Sequence, residues 1–245
     1  MAQHPQRTAI VTGAGKRVGA EIARALLADG WAVVAHVHHQ ADKVPDGAVK
    51  VAADLERDDC AETIFAAAAD LPPVQLLVNN AARFAFDAVT DFNPTEFRQH
   101  MAVNVGAAAL LTQRFADEHN GGDGVIVNVL DAKLAAPNPD FLSYTLSKHA
   151  LAGLTELAAR ALAGRSIRVN AVAPALMLKS PGQGEANFER MHALNPLRRG
   201  VDPTDVVDAI RYLAGARCVT GQTITIDSGQ RFMGLSRDVQ FLESE

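Results

Sequence analysis

Cysteine and aromatic residues are scarce in this sequence of 245 residues, with aromatics at only 5%, and no block of like charge stands out. Cys60 and Cys218 are the only cysteines and form no CxxC pair, which argues against a disulfide framework or a thiolate metal site and favours a reducing compartment. No apolar run approaches the length of a membrane span, and the N-terminus lacks the basic-then-apolar order of a signal peptide. We therefore expect a cytoplasmic protein with no membrane partner.

The overall charge argues against a nucleic-acid partner. The formal net charge is -5, so the chain offers no basic footprint for a polyanion, and any anionic ligand must be held locally. Apolar residues make up 48% of the chain and charged residues 21%, which is typical of a globular protein. A chain of this length can bury a core large enough for an enzyme.

Strand patterns and helix patterns alternate along the chain. Strands are predicted at residues 7–12, 31–37, 48–55, 74–82, 124–131, 167–174 and 222–229, and helices at 21–30, 58–71, 95–119, 141–164 and 203–215. No linker or repeat interrupts them, so the alternation predicts one α/β domain over residues 1–245 with a parallel sheet. Residues 175–200 break the alternation and are predicted to form a substrate loop, since long irregular loops in compact domains are commonly lids or binding loops.

A glycine-rich turn joins the first predicted strand to the first helix. Its glycines allow a close approach of phosphate to the backbone, and the helix start offers free N–H groups. Because ligands of open α/β sheets lie at the carboxyl ends of the strands, this turn predicts a dinucleotide site. The predicted contacts in the turn are Gly13, Lys16, Arg17, Val18 and Gly19.

Three histidines and no acid stand at the end of the second predicted strand. An acid there accepts from a ribose 2′-hydroxyl, whereas His36, His38 and His39 favour a 2′-phosphate and hence NADP(H) over NAD(H). The alternative interpretation is a metal site. No third ligand is evident beside the histidines, so we predict no metal.

Polar residues also follow the third and fourth strands. Asp54 is predicted to accept from the adenine amino group, or alternatively to cap the next helix. Asn80 fits either a cofactor contact or turn chemistry, because amide side chains satisfy backbone groups at strand ends. Asn104 lies within a small, apolar helical stretch and needs hydrogen-bond partners if it is buried. Further predicted cofactor contacts at the strand ends are Leu55, Ala81 and Pro174.

Tyr144 and Lys148 are four residues apart on a predicted helix, and they therefore share one face. An ammonium beside a phenol is expected to lower the tyrosine pKa towards the range in which proton transfer is efficient at neutral pH. A surface tyrosine and an unrelated lysine are the alternative, so the pair gains meaning only from the residues around it.

These motifs, in this order, make residues 8–229 resemble the short-chain dehydrogenase/reductase family. The matching features are the glycine turn, Asp54, the NNAA stretch, Asn104, the Tyr144–Lys148 pair, residues 170–174 and the DSG sequence that ends the last strand. The resemblance implies a Rossmann-type, doubly wound parallel sheet of about seven strands with helices on both faces, and a homotetramer or homodimer. It implies Tyr144 as proton donor or acceptor, Lys148 on the nicotinamide ribose, both of these residues as cofactor contacts, and Asn104 in a water relay.

Two departures from the common family pattern resemble the pteridine reductases and dihydromonapterin reductases. Arg17 stands in the glycine turn, and Asp131 stands thirteen residues before the tyrosine, where the family usually has a serine. The resemblance implies an Asp-Tyr-Lys triad and an aromatic ring, Phe84, that stacks on the pterin. Ala82 and Ala175 depart from that branch. The predicted substrate contacts are Arg17, Phe84, Asp131, Tyr144, Leu176 and Met177.

The chemistry of an aspartate fits a pterin better than a ketone. An ionised carboxylate cannot donate a hydrogen bond to a substrate oxygen, as a serine can. A dihydropterin instead needs a proton on a ring nitrogen and offers donors that a carboxylate accepts. The alternatives are a general carbonyl or alcohol oxidoreductase in which Asp131 only caps a turn, and a non-catalytic NADP-binding regulatory or assembly subunit.

Overall fold

A computed structural model describes residues 6–180 and 182–242, in which seven parallel strands form one sheet of order β3-β2-β1-β4-β5-β6-β7. The strands are β1 (Thr8–Val11), β2 (Ala32–Val37), β3 (Val49–Ala52), β4 (Val74–Asn79), β5 (Gly124–Val129), β6 (Ile167–Pro174) and β7 (Thr223–Ile226). The chain moves outward from β1 to β3 and then restarts at β4 on the other side of β1. This order confirms the predicted doubly wound sheet.

Helices cover both faces of the sheet. They are α1 (Arg17–Ala28), α2 (Cys60–Ala66), α3 (Pro94–Met101), α4 (Ala107–Glu118), α5 (Leu142–Leu162), α6 (Glu185–Ala193) and α7 (Pro203–Gly215). Side chains alternate across the central strand, so Ala9 and Val11 pack with α1 and α7 while Ile10 packs with α2, α4 and α5. Two apolar cores therefore support the sheet whose carboxyl-terminal strand ends carry the site.

Three predicted elements differ from the structure. The helix predicted at 58–71 ends at Ala66. The helix predicted at 95–119 is divided by a π-helical turn, Ala102–Gly106, in which the Asn104 side chain bonds outside the helix. The segment predicted as irregular contains α6, which begins after Gly184 and buries Met191. Residue 181 of that segment, and residues 1–5 and 243–245 of the predicted domain, lie outside the described residues.

Within the described ranges, none of the helices is both long enough and apolar enough to cross a membrane.

Candidate active site

The glycine turn between β1 and α1 is held by residues at the end of β4. Gly13 has φ +67°, and a Cβ on Gly19 would lie 2.1 Å from the carbonyl oxygen of Gly13, so both positions require glycine. The Asn80 side chain donates to the Thr12 carbonyl over 2.8 Å, and the Thr12 hydroxyl accepts from the backbone of Asn80 and Ala81 over 3.0 Å each. Asn80 is therefore a support of the turn.

A cavity of about 480 Å³ and a cavity of about 530 Å³ adjoin along this turn. The larger one lies beside the glycine turn and the end of β2, and we name it the cofactor cavity. It is lined by these predicted cofactor residues: Gly13, Lys16, Arg17, Val18, Gly19, His36, His38, His39, Asp54, Leu55, Asn80 and Ala81. Of the other predicted contacts, Lys148 is buried in α5 and Pro174 is buried at the end of β6. A cradle of glycine backbone with adjacent basic side chains fits a dinucleotide.

His36 has a different role from the one predicted. Its Nδ1 accepts from the Gly13 backbone over 3.2 Å, and its Nε2 lies 3.0 Å from the Ala53 carbonyl oxygen, to which it donates. Burial lowers the pKa of His36, so its ring is held neutral between these two groups. Both nitrogens are thus used by the protein, and His36 positions the glycine turn instead of offering a donor to a 2′-phosphate.

His38 and His39 are exposed, and their stacked rings lie 4.0 Å apart at the rim of the cofactor cavity. Asp54 accepts from the Glu56 backbone over 2.9 Å and lies 4.0 Å from His38 Nε2. Among the described residues, no group of three or more His, Cys, Asp or Glu side chains could hold a metal ion.

Asp131 connects β5 to the start of α5. One carboxylate oxygen accepts from the Lys133 backbone over 2.8 Å and so caps the short 3-10 turn Ala132–Ala135. The other accepts from the Tyr144 hydroxyl over 2.9 Å. Asp131 can therefore cap the turn through one oxygen and act in catalysis through the other, so the structure is compatible with both roles.

The electrostatics around Tyr144 differ from those predicted. Burial, followed by the charge of Asp131, raises the pKa of Tyr144 well above its usual value. Lys148 donates to the Val129 carbonyl over 2.6 Å, and burial lowers its pKa to about 8. The prediction that Lys148 lowers the tyrosine pKa is thus wrong for this state, because the nearer carboxylate opposes ionisation of the phenol. Burial also raises the pKa of Asp131.

Asn104 is buried, and its amide is fully engaged with neighbouring groups. Its oxygen accepts from the Arg83 backbone over 2.7 Å, and its nitrogen donates to the Arg83 carbonyl over 3.1 Å and the Ser147 hydroxyl over 2.8 Å. The side chain thus ties the loop after β4 to α5 and satisfies its own polar atoms. The water relay implied for Asn104 stays a prediction.

The smaller cavity, which we name the substrate cavity, brings together all six predicted substrate residues: Arg17, Phe84, Asp131, Tyr144, Leu176 and Met177. The Phe84 ring is 40% exposed, stacks on Phe141 at 4.3 Å between centroids and meets Tyr144 edge to face at 4.8 Å. Phe84 therefore contributes an aromatic ring to the cavity wall, in contact with the ring of Tyr144.

Arg17 lies where the two cavities meet and has a left-handed backbone, with φ 52°. Its guanidinium donates to the carbonyls of Lys179 over 3.0 Å and Leu178 over 3.3 Å. The sequence predicted that Arg17 contacts both the cofactor and the substrate, and Arg17 lines both cavities. Its hydrogen bonds also hold the loop that follows β6.

Two parts of the site were missed by sequence reasoning. Buried Asp87 accepts from the Ser143 backbone over 2.8 Å and from its hydroxyl, which caps the helix that carries Tyr144. Residues 230–239 of the C-terminal segment include cavity-lining side chains, among them Arg231 and Asp238. No local pattern in the sequence joins either of these to residues more than fifty positions away.

Solved structures and curated proteins resemble the chain over nearly its whole length. The crystal structure of FolM alternative dihydrofolate reductase 1 from Brucella suis in complex with NADP matches with a TM-score of 0.85 and 33% identity, over 94% of this chain and 96% of that chain. Pteridine reductase 1 of Leishmania tarentolae is 30% identical over 274 residues, which cover 90% of this chain and 95% of that protein. L-xylulose reductase of Bos taurus is 33% identical over 240 residues, which cover 91% and 96%.

The family described as enoyl-(acyl carrier protein) reductase matches residues 13–231. This range contains the glycine turn, the Asp131–Tyr144 hydrogen bond and Lys148. These residues lie at the carboxyl-terminal ends of the strands of a seven-stranded parallel sheet. The chain belongs to the short-chain dehydrogenase/reductase family of oxidoreductases.

Proposed function

We propose that this chain is an NADPH-dependent reductase of a pterin ring, of the dihydrobiopterin, dihydromonapterin or dihydrofolate type. The observation that carries the proposal is the hydrogen bond from Tyr144 to Asp131 in a cavity that Phe84 also lines. The proposed enzyme is one NADP-binding domain whose substrate loop spans residues 175–200. Its cytoplasmic location and its assembly as a homotetramer or homodimer stay predictions of the sequence.

The cofactor cavity supports the choice of NADPH, which supplies the hydride when bound. Lys16 lies beside the glycine turn, and His38 and His39 stand at the rim without an acid at the strand end. These groups can hold the pyrophosphate and the 2′-phosphate, respectively. A relative solved with NADP, the Brucella suis protein, is consistent with this assignment.

The proton supply follows from the pKa directions at the site. Burial keeps the Tyr144 phenol protonated, and burial also favours the protonated form of Asp131. Tyr144 therefore holds a proton at neutral pH that it can pass to a ring nitrogen, and Asp131 can return a proton to it through the hydrogen bond between them whenever the carboxyl group is itself protonated. Lys148 places a positive charge behind the tyrosine whenever it is protonated.

The walls of the substrate cavity fit a flat heterocycle. Phe84 offers one face for stacking, and Leu176 and Met177 close the apolar side. A carboxylate beside a ketone oxygen would oppose the developing negative charge there, whereas it accepts from the amino and amide donors of a pterin. The name of the Leishmania tarentolae relative, pteridine reductase 1, agrees with this choice of substrate.

A general carbonyl reductase is the second candidate. It is favoured by the bond between Asp131 and the Lys133 backbone, which gives the aspartate a structural use, and by the L-xylulose reductase relative. A non-catalytic NADP-binding subunit, weighed from the sequence, would leave the Asp131–Tyr144 bond without a use.

NADPH oxidation with 7,8-dihydrobiopterin, dihydrofolate and a panel of ketones, measured in parallel, tests the proposal. We expect turnover of the pterins to exceed that of the ketones. Asp131→Ser should lower pterin turnover by about 100-fold or more, the usual size of an acid–base contribution. Asp123→Ser, which changes an exposed acid paired with Arg217, is the matched control. Preference for ketones, or an unchanged pterin rate in Asp131→Ser, would sink the proposal.

A further inference from the structure

The C-terminal segment, residues 229–242, is bonded to Asp140, which lies two residues before the start of α5. Asp140 is buried, and its carboxylate accepts from Arg237 Nε and Nη2 over 2.8 Å each and from the Asp238 backbone over 2.7 Å. Asp140 lies four positions before Tyr144. The segment is therefore held at a fixed place beside the substrate cavity.

These contacts bring Asp238 opposite Lys133. The Asp238 carboxylate lies 3.7 Å from Lys133 Nζ, which also donates to the Asp140 carbonyl. Asp238 and Lys133 line the substrate cavity with Asp131 and Tyr144, and neither lines the cofactor cavity. We name Lys133, Asn138, Arg231 and Asp238 the outer wall of the substrate cavity.

The cationic side chains of the outer wall are already paired with carboxylates. Arg231 bonds Asp227 over 2.9 Å, and Lys133 is paired with Asp238. The Lys133 side chain is only 9% exposed, and burial lowers its pKa, so its ammonium has little reach towards a ligand. The basic side chains on the other side of the substrate cavity, Lys16 and Arg17, also line the cofactor cavity, and the Arg17 guanidinium is already bonded to the Leu178 and Lys179 carbonyls.

The direction in which a substrate extends follows from the same arrangement. The reacting ring atoms must lie between Tyr144 and the cofactor cavity. A substituent that extends from the ring away from the cofactor then contacts the outer wall, because that wall lies on the side of the substrate cavity away from the cofactor. Hydroxyl groups can donate to the Asp238 carboxylate, whereas a carboxylate would meet a like charge with both nearby cations already paired.

We propose that Asp238, held by Lys133, is a specificity-determining residue that favours a pterin with an uncharged, hydroxyl-bearing substituent over one that carries carboxylates. This inference rests on the proposed function and deepens it, because it selects among pterins that share one ring. Asp238 acts on binding of the substituent. Its charge also raises the pKa values of Asp131 and Tyr144, but this effect is common to both pterins and cancels in the ratio of their kcat/KM values.

Steady-state kinetics with 7,8-dihydrobiopterin and dihydrofolate test the inference. The wild-type protein should have the higher kcat/KM for dihydrobiopterin. Asp238→Asn should reduce that preference by about tenfold, the size of a charge interaction of roughly 1.4 kcal/mol. The change should appear mainly as a lower KM for dihydrofolate, because the substituent is remote from the reacting atoms. Asp238→Glu should retain the wild-type preference.

The design of the variants separates specificity from general effects. Asp238→Asn keeps the backbone bond to Asp140 and an oxygen for the Gln240 backbone, so thermal unfolding should be close to wild type. Asp208→Asn removes the same charge from an exposed site on α7 and should leave the ratio within about twofold. A wild-type preference for dihydrofolate, an unchanged ratio in Asp238→Asn, or an equal change in Asp208→Asn would overturn the inference. Absence of turnover with both pterins would instead overturn the proposed function, and this inference with it.

Discussion

The hydroxyl of Tyr144 donates to the carboxylate of Asp131 over 2.9 Å, so one hydrogen bond joins two acidic side chains inside the substrate cavity. The carboxylate opposes ionisation of the phenol, the hydrogen bond from the phenol favours the ionised carboxylate, and burial raises both pKa values. Tyr144 therefore keeps its proton at neutral pH. In the proposed reaction, this proton goes to a ring nitrogen as hydride arrives.

Replacement of Asp131 by asparagine should stabilise the fold while it removes activity. The raised pKa of Asp131 means that the folded state binds its proton more tightly than the unfolded state does, so the ionised group costs stability as pH rises above 3.8. We expect Asp131→Asn to unfold at a higher temperature than wild type at pH 7, because the variant has no buried carboxyl group to ionise. Differential scanning calorimetry should show this gap shrink towards pH 4. A lower melting temperature for the variant at pH 7 would contradict the raised pKa.

The buried ammonium of Lys148 predicts a gain of stability at alkaline pH. Its folded pKa of about 8 lies below the unfolded value of 10.5, so between these values the unfolded state binds more protons and stability rises with pH. Against Lys148→Met, wild type should gain up to about 3 kcal/mol in free energy of unfolding over this window. Urea unfolding of both proteins at pH 7.5 and pH 10 measures the difference. No relative gain would mean that Lys148 keeps its charge in the fold.

Features of the fold and site that depend on residues close together in the sequence could be predicted, and features that depend on distant contacts could not. Seven strands followed from apolar runs, and the glycine turn followed from a pattern of eight residues. Asp131, Tyr144 and Lys148 were predicted from the sequence because a helix fixes the Tyr144–Lys148 spacing and Asp131 follows a predicted strand, and their role as a triad stays a prediction. The roles of Asp87 and Asp238 were not found, since both depend on contacts with α5 and its approach that are made only after folding. The pKa of Tyr144 was misjudged for the same reason: spacing showed the lysine but not the distance to the carboxylate.

The two glycines Gly19 and Gly153 should respond in opposite ways to alanine. A Cβ at position 19 meets the Gly13 carbonyl at 2.1 Å, so the turn must deform, whereas nothing lies within 4 Å of a Cβ at position 153 in α5. Gly19→Ala should lower stability by about 1–3 kcal/mol and weaken NADPH binding at least about tenfold. Gly153→Ala should raise stability by about 0.5–1 kcal/mol and leave binding unchanged. Calorimetric titration with NADPH and thermal unfolding check both, and tight binding by Gly19→Ala would contradict the close approach.

Arg17 should control substrate affinity through the loop it holds. Arg17→Met removes the bonds to the carbonyls of Leu178 and Lys179, so the wall formed by Leu176 and Met177 loses its support. We expect KM for 7,8-dihydrobiopterin to rise about tenfold or more, since bonds from a charged donor contribute roughly 1.5–3 kcal/mol when well formed. Arg24→Met, on the exposed face of the same helix, should leave KM within about twofold. Equal KM values in the two variants would argue against a role for the loop contact.

Asp87 should be needed to place Tyr144, although it does not line the substrate cavity. Its carboxylate accepts from the backbone and the hydroxyl of Ser143, and its own carbonyl accepts from the Leu142 backbone over 3.1 Å. The start of α5 follows a left-handed residue, Phe141, so this cap fixes the angle at which the helix begins. Asp87→Ala leaves buried donors without partners and should cost about 1–3 kcal/mol of stability.

The functional consequence is what separates a positioning role from a merely stabilising one. Asp87→Ala should lower kcat for 7,8-dihydrobiopterin by about tenfold at a temperature well below its unfolding transition, because Tyr144 lies one residue beyond the cap. Asp87→Asn keeps an oxygen for the Ser143 backbone and should recover most of kcat and part of the stability. Thermal unfolding and kcat measured on the same preparations check both effects. A loss of stability with unchanged kcat would show that the rest of α5 holds Tyr144 in place without the cap.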